Sequence, residues 1–316
     1  MKKAAKHLAR LVAAGAGGAV LISYVIDKLL VDRKWVMPDK FNDSVSGADM
    51  SDLHDLCEEN MRWLENYGYE NHSITDKNGV KLEAVLMRPA EPSDVYVFCA
   101  HGYRSTGKRE FCGLAQYYLK KGYNVFLPDH PGAGESGGKY IGFGKFESDD
   151  GILWLDYLND TFGSDIKIIM HGISMGSATV MLMSGREDLP ENVKLIVSDC
   201  GYTSAWDEFD YKLRDMGVPV QPLLGMVNAV NKAVAGYDFR DTSAIDAVKK
   251  AKLPMLFIHG GGDTFVPSFM VTLVYDACGS EDKDILIVEG ADHAQSQVTG
   301  KEEYEAKLDE FIGKYL

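Results

Sequence analysis

The chain has 316 residues and a formal net charge of −14 at pH 7, from 33 Lys plus Arg against 47 Asp plus Glu. That length suits one large α/β domain, and the acidic balance lacks the basic footprint that a nucleic-acid partner demands. Hydrophobic residues make up 46% and charged residues 25%, an ordinary globular composition that argues against disorder.

In chain order, Lys2, Lys3, Lys6 and Arg10 precede an uncharged, mostly apolar run from Leu11 to Ile26, closed by Asp27 and Lys28. A basic flank before an apolar run is the pattern of a signal peptide or membrane anchor. The run is short against the roughly 20 residues a spanning helix needs, although Leu29, Leu30 and Val31 extend it. The small residues from Ala13 to Ala19 lie inside the run rather than after it, so no cleavage site is marked. The expectation is a membrane anchor or uncleaved signal over residues 1–34, with the remainder of the chain extracytoplasmic by the positive-inside rule. The alternative is a helix packed on the body of a cytoplasmic protein.

Residues 35–69 read as a helical lead-in, with Leu53, Leu56, Cys57, Met61 and Leu64 near helical spacing over Asp49 to Tyr67. Asp76-Lys77-Asn78-Gly79 is a turn between two extended runs. Apolar runs over Val95–Ala100, Asn124–Pro128, Ile166–Met170, Leu195–Ser198, Met255–His259 and Ile285–Glu289 read as strands. Helical segments separate most of them, at Glu110–Lys121, Phe146–Asn159, Ser177–Arg186 and Ser268–Ala277, and Glu302–Tyr315 reads as a last helix. The pattern predicts an α/β fold with a mostly parallel sheet covered on both faces. Roughly fifty residues separate the strand ending near Ser198 from the one beginning near Met255, too many for a simple crossover, and residues 203–245 are expected to form a helical lid.

The chemistry concentrates at strand ends. Lys167 to His171 leads into Gly172-Ile173-Ser174-Met175-Gly176 and then a helical pattern, which is G-x-S-x-G in a strand-turn-helix setting. A serine needs a base and an orienting acid, and Asp263 and His293 follow in that order, each after a strand and a glycine-bearing loop. Of the eight histidines, only His293 follows both Ser174 and Asp263; Asp292 is the weaker alternative for the acid. The expected oxyanion donors are the backbone N–H groups of Met175 and of Tyr103, in the loop that begins at His101. The G-x-G-x-x-G at Gly132 to Gly137 runs on as loop, so a dinucleotide site is discounted. Five scattered cysteines form no C-x-x-C pair, and no Cys/His cluster suggests a metal; neither cofactor nor metal is expected.

The ordered motifs HGY (101–103), DHPGAGESGG (129–138), GISMG (172–176), GGDTFVP (261–267) and ADH (291–293) resemble the α/β-hydrolase superfamily, over about residues 70–316. They are similar in particular to a bacterial group of small α/β-hydrolases with an N-terminal hydrophobic segment. The resemblance implies a Ser174–His293–Asp263 triad, with Tyr103 and Met175 as oxyanion donors, and hydrolysis of a small-molecule acyl ester. His130-Pro131 departs from relatives that often carry Arg in that block, which bears on pocket shape rather than chemistry. A peptidase or thioesterase on the same scaffold, or a membrane-tethered binding module without activity, are the alternatives.

Overall fold

The computed structural model describes the backbone of residues 2–34 and 51–316, and the side chains of residues 17–34 and 55–316. The start of the predicted lead-in, residues 35–50, lies outside the described residues. The chain begins with helix α1 (Lys2–Val31) and helix α2 (Ser51–Tyr67). The predicted turn then joins β1 (Glu70–Thr75) to β2 (Lys81–Met87) as an antiparallel pair, with Asp76 Oδ1 accepting the N–H groups of Asn78 (2.8 Å) and Val80 (2.7 Å).

From there strands and helices alternate. They are β3 (Val95–Ala100), α3 (Gly107–Lys120), β4 (Asn124–Pro128), α4 (Lys145–Phe162), β5 (Lys167–Ile173), α5 (Met175–Ser184) and β6 (Val193–Asp199). A helical insertion follows: α6 (Ala205–Asp215), α7 (Val220–Val234), a 3-10 turn (Phe239–Thr242) and α8 (Ala244–Val248). The chain closes with β7 (Met255–Gly260), α9 (Phe269–Ala277), β8 (Lys283–Val288), α10 (Ser296–Thr299) and α11 (Lys301–Ile312). The strands form one eight-stranded sheet in the order β1-β2-β4-β3-β5-β6-β7-β8, antiparallel only at β1–β2 and β2–β4.

The near-continuous apolar strands have a direct cause. In β3, Tyr96, Phe98 and Ala100 enter one core while Val95, Val97 and Cys99 enter the other, and β5 to β7 divide in the same way. Both faces of the sheet are covered, so neither half of the side-chain alternation needs to be polar. Truncating a fully buried Phe98 to Ala would cost about 3–5 kcal/mol. The loop from Gly132 to Gly138 closes on itself through Gly132 N–H to Gly137 O (2.7 Å), and no helix opens until Lys145.

The N-terminus differs from the expected anchor. No helix among the described residues is long and apolar enough to cross a membrane. Instead α1 lies along α7 and turns Ser23, Asp27, Lys28 and Val31 inward, leaving Val20, Leu21, Ile22, Tyr24 and Val25 exposed. Its end is stitched to the body: Ile141 N–H donates to Val31 O (2.8 Å) and Arg33 N–H to Lys139 O (2.9 Å). The charges at Lys28 and Asp32 pair within the protein, with Lys28 Nζ 2.8 Å from Asp32 Oδ2. Over these residues α1 packs on the body of the protein.

Candidate active site

Ser174 stands at the turn between β5 and α5 with φ 56° and ψ −117°, a left-handed conformation that a side chain rarely adopts. The turn is tight enough that a Cβ on Gly172 would strike the Gly176 carbonyl, and one on Gly176 would strike the Ala100 carbonyl at the end of β3. Both glycines are therefore required by close approach of backbone to backbone. Ser174 N–H donates to Asp199 O (2.9 Å), which pins the turn to the end of β6.

Three of the predicted side chains, distant in sequence, meet here. Ser174 Oγ lies 2.8 Å from His293 Nε2, and His293 Nδ1 lies 2.8 Å from Asp263 Oδ2. Asp292, the chain neighbour of His293, is not the carboxylate that meets its ring. Asp263 is fixed through its other oxygen, which accepts the N–H groups of Phe265 and Val266 (2.9 Å each). His259 Nε2 donates to Val266 O (2.9 Å) and lies 3.2 Å from Asp263 Oδ2. Burial alone would raise the Asp263 pKa, but the imidazoles of His259 and His293 outweigh burial and hold the carboxyl at about 2. It is an anion at any ordinary pH. The Phe265 ring covers the imidazole of His293 at 4.8 Å between centroids.

The two predicted backbone donors flank the serine. Met175 is the first residue of α5, where a helix leaves its N–H groups without intrahelical partners. Tyr103 follows Gly102, where an added Cβ would lie 3.4 Å from Ser174 Cβ. The Gly102 carbonyl accepts from His101 Nδ1 (2.8 Å) and from Ser105 N–H (3.3 Å). A trans peptide points its N–H opposite to its C=O, so fixing that carbonyl also fixes the direction of Tyr103 N–H. The tautomer of His101 follows from its partners: Nε2 accepts His130 N–H (2.9 Å), so Nδ1 carries the proton. Burial pushes the His101 pKa down, keeping the ring neutral.

Sequence reasoning passed over three groups near this edge. His101 precedes Ser174 in the chain, which disqualifies it as the base by order, yet it holds the Gly102 carbonyl of the peptide that carries Tyr103 N–H. Asp199 ends β6 as Asp263 follows β7, but its Oδ2 accepts from Tyr304 Oη (2.8 Å) and burial pushes it up to about 6. Its position at a strand end was the available signal. Glu208 lies on the inward face of α6, buried, with neither carboxyl oxygen partnered among the described residues and its pKa pushed up to about 8 by burial. A single acid in a mixed-polarity helix gives no sequence signal of burial.

A strained serine after β5 and a sheet in this order define the protein as an α/β-hydrolase-fold chain. The family model described as alpha/beta hydrolase fold matches residues 96–216. The chain is 26% identical over 240 residues to the uncharacterized protein YqkD of Bacillus subtilis, covering 76% of this chain and 77% of that one. It is 24% identical over 225 residues to an uncharacterized membrane protein of Saccharomyces cerevisiae, covering 69% of this chain and 70% of the relative. Among solved structures, the Pyrococcus furiosus esterase Pf2001 superposes with a TM-score of 0.64 at 21% identity, over 79% of this chain and 92% of that one.

Proposed function

We propose that this hydrolase cleaves carboxylic esters through an acyl-enzyme on Ser174. The observation that carries the reading is the unbroken series from Ser174 Oγ to His293 to Asp263, with both links at 2.8 Å. His293 Nε2 takes the Oγ proton as Ser174 attacks the acyl carbonyl, and Asp263 stabilises the imidazolium and keeps Nδ1 protonated. The N–H groups of Tyr103 and Met175 receive the oxyanion. The proton on Nε2 then passes to the departing alkoxide, and water, activated by the same nitrogen, releases the acid. The esterase name of the Pyrococcus neighbour favours esters over thioesters and amides, which share the first step.

The insertion over residues 203–245 supports the reading as a cover for the site. Lys212 Nζ donates to Thr264 O (3.0 Å) beside Asp263, and Phe209 packs edge-on against Phe143, which stacks on Tyr103. Ser174→Ala should abolish both the burst of p-nitrophenol from p-nitrophenyl esters and labelling by a fluorophosphonate. Turnover that survives this substitution would end the proposal. A competing panel of esters, thioesters and aminoacyl amides assigns the substrate class.

Attachment of α1 to a membrane surface is favoured by its exposed face from Val20 to Val25, which follows Lys2, Lys3, Lys6 and Arg10 in sequence. The chain should float with vesicles containing anionic lipid and separate from neutral ones at high salt. Equal recovery in the unbound fraction under both conditions refutes the attachment.

A further inference from the structure

A helix ends with carbonyls that have no intrahelical donor, and they must find partners elsewhere. Those at the end of α1 find them in the loop that presents Tyr103. Tyr103 Oη donates to Leu30 O (2.7 Å) and reaches Leu29 O at 3.5 Å. Arg104 Nη2 donates to Leu29 O (2.9 Å) and Asp32 O (3.2 Å), and Arg104 Nε donates to Tyr103 Oη (2.8 Å). The guanidinium thus lies against the negative end of the helix dipole, a favourable placement.

The loop carries strain that needs such support. Arg104 has φ 56°, a left-handed conformation that a residue with a side chain rarely adopts and that persists only where neighbours enforce it. The Tyr103 ring is also fixed sideways, stacked on Phe143 at 5.2 Å and 20° between planes. One peptide is therefore held from two directions. His101 and Ser105 donate to the Gly102 carbonyl, and the terminal carbonyls of α1 accept from the side chains of Tyr103 and Arg104.

We propose that α1 is a working part of the catalytic centre, and that Tyr103 and Arg104 are positioning residues through which its terminal carbonyls set the oxyanion-donating N–H of Tyr103. The inference rests on the serine-hydrolase reading above and adds to it. Its chemistry is specific. The side chain of Tyr103 contributes nothing to the oxyanion directly; it transmits the place of the helix to its own backbone. Losing that grip leaves the substrate ground state nearly untouched, because a neutral carbonyl demands little of the donor. The tetrahedral oxyanion demands a donor at hydrogen-bond distance, and a misplacement of about 1 Å is worth up to about 100-fold in rate.

The test uses the full chain. Tyr103→Phe keeps the backbone N–H and the ring stack and removes only the hydroxyl; Arg104→Lys keeps charge and removes the fork. Both are measured for kcat and KM on a p-nitrophenyl ester, and for affinity toward a trifluoromethyl ketone, which captures Ser174 Oγ as a tetrahedral oxyanion as the proton passes to His293. Tyr103→Phe should lower kcat about 10-fold or more, with KM within about twofold and ketone affinity falling in step with kcat/KM. Arg104→Lys should show the same split, more weakly. An unchanged kcat in both variants overturns the inference, as does a loss of kcat and KM together that follows melting temperature. Should Tyr103→Phe fail to fold, the Arg104→Lys split decides alone. Fluorophosphonate labelling of the unsubstituted chain, with Ser174→Ala as the blank, separates the two failures. Absent labelling ends the hydrolase reading and this inference with it, whereas intact labelling with unaltered variants ends only this inference.

Discussion

At the scale of single residues, Asp263 has the most exacting set of contacts. One oxygen accepts two backbone N–H groups and the other meets His293 Nδ1. In Asp263→Asn the amide oxygen stays with Phe265 and Val266, because an NH2 group there would face two donors. The amide NH2 then faces His293 and forces Nδ1 to accept, so the proton moves to Nε2 and the base is lost. We expect kcat for a p-nitrophenyl ester to fall about 10³–10⁴-fold, with circular dichroism unchanged. The same carboxyl also sets an acid limit. Its folded pKa of about 2 lies below the ordinary 3.8, so its stabilisation is complete above 3.8 and is lost as pH falls through 2. Melting temperature should decline more over that interval in the unsubstituted chain than in Asp263→Asn. That Ser174, Asp263 and His293 meet was legible in sequence, because the proposed acyl transfer calls for those residue types and the strand ends bring them to one edge. His101 and Asp199 were not, since their roles depend on which neighbour reaches a particular nitrogen or oxygen in space.

Among the elements, the parallel strands were legible because burial of both sheet faces makes them apolar throughout, and their observed limits differ by a few residues. The third helix begins at Gly107 rather than Glu110 because the Thr106 side chain caps it, accepting from Arg109 N–H (3.1 Å). Hydrophobic spacing cannot register a cap that lies before the first apolar residue. What spacing also misses is the distance between elements, and the serine turn shows its force. A methyl group on Gly176 would drive α5 away from the carbonyls of Ala100 and His101 at the end of β3. Gly176→Ala should therefore lose about 1–3 kcal/mol in urea unfolding. It should also lose ester hydrolysis out of proportion to stability, because the displaced backbone is that of Met175 and His101. Stability and rate both equal to those of the unsubstituted chain would mean that the turn relaxes freely.

For the whole molecule, the N-terminal helix is the part that sequence described least well, and the reason is physical. A run from Val20 to Val25 reads as a surface to be buried, yet α1 buries Ser23 and Asp27 instead. Neither Ser23 Oγ nor either Asp27 carboxyl oxygen has a hydrogen-bond partner among the described residues. Burial pushes the Asp27 pKa up to about 6, with Lys28 pulling it down and Asp32 pushing it up; Tyr237, after α7, feels its charge. The neutral acid suits a buried contact and the anion does not, which makes docking of α1 a function of pH. Because the folded pKa lies above the ordinary 3.8, the contribution is complete below 3.8 and is lost as pH rises through 6. Amide hydrogen exchange over residues 17–31, corrected for its intrinsic pH dependence, should show protection falling as pH rises from about 4 through 6 and levelling off above that, while β3 and β5 hold theirs. Asp27→Asn removes the titration and keeps the shape, so its protection should stay level over that range. An equal fall in both chains would show that some group other than Asp27 governs how firmly the helix is held.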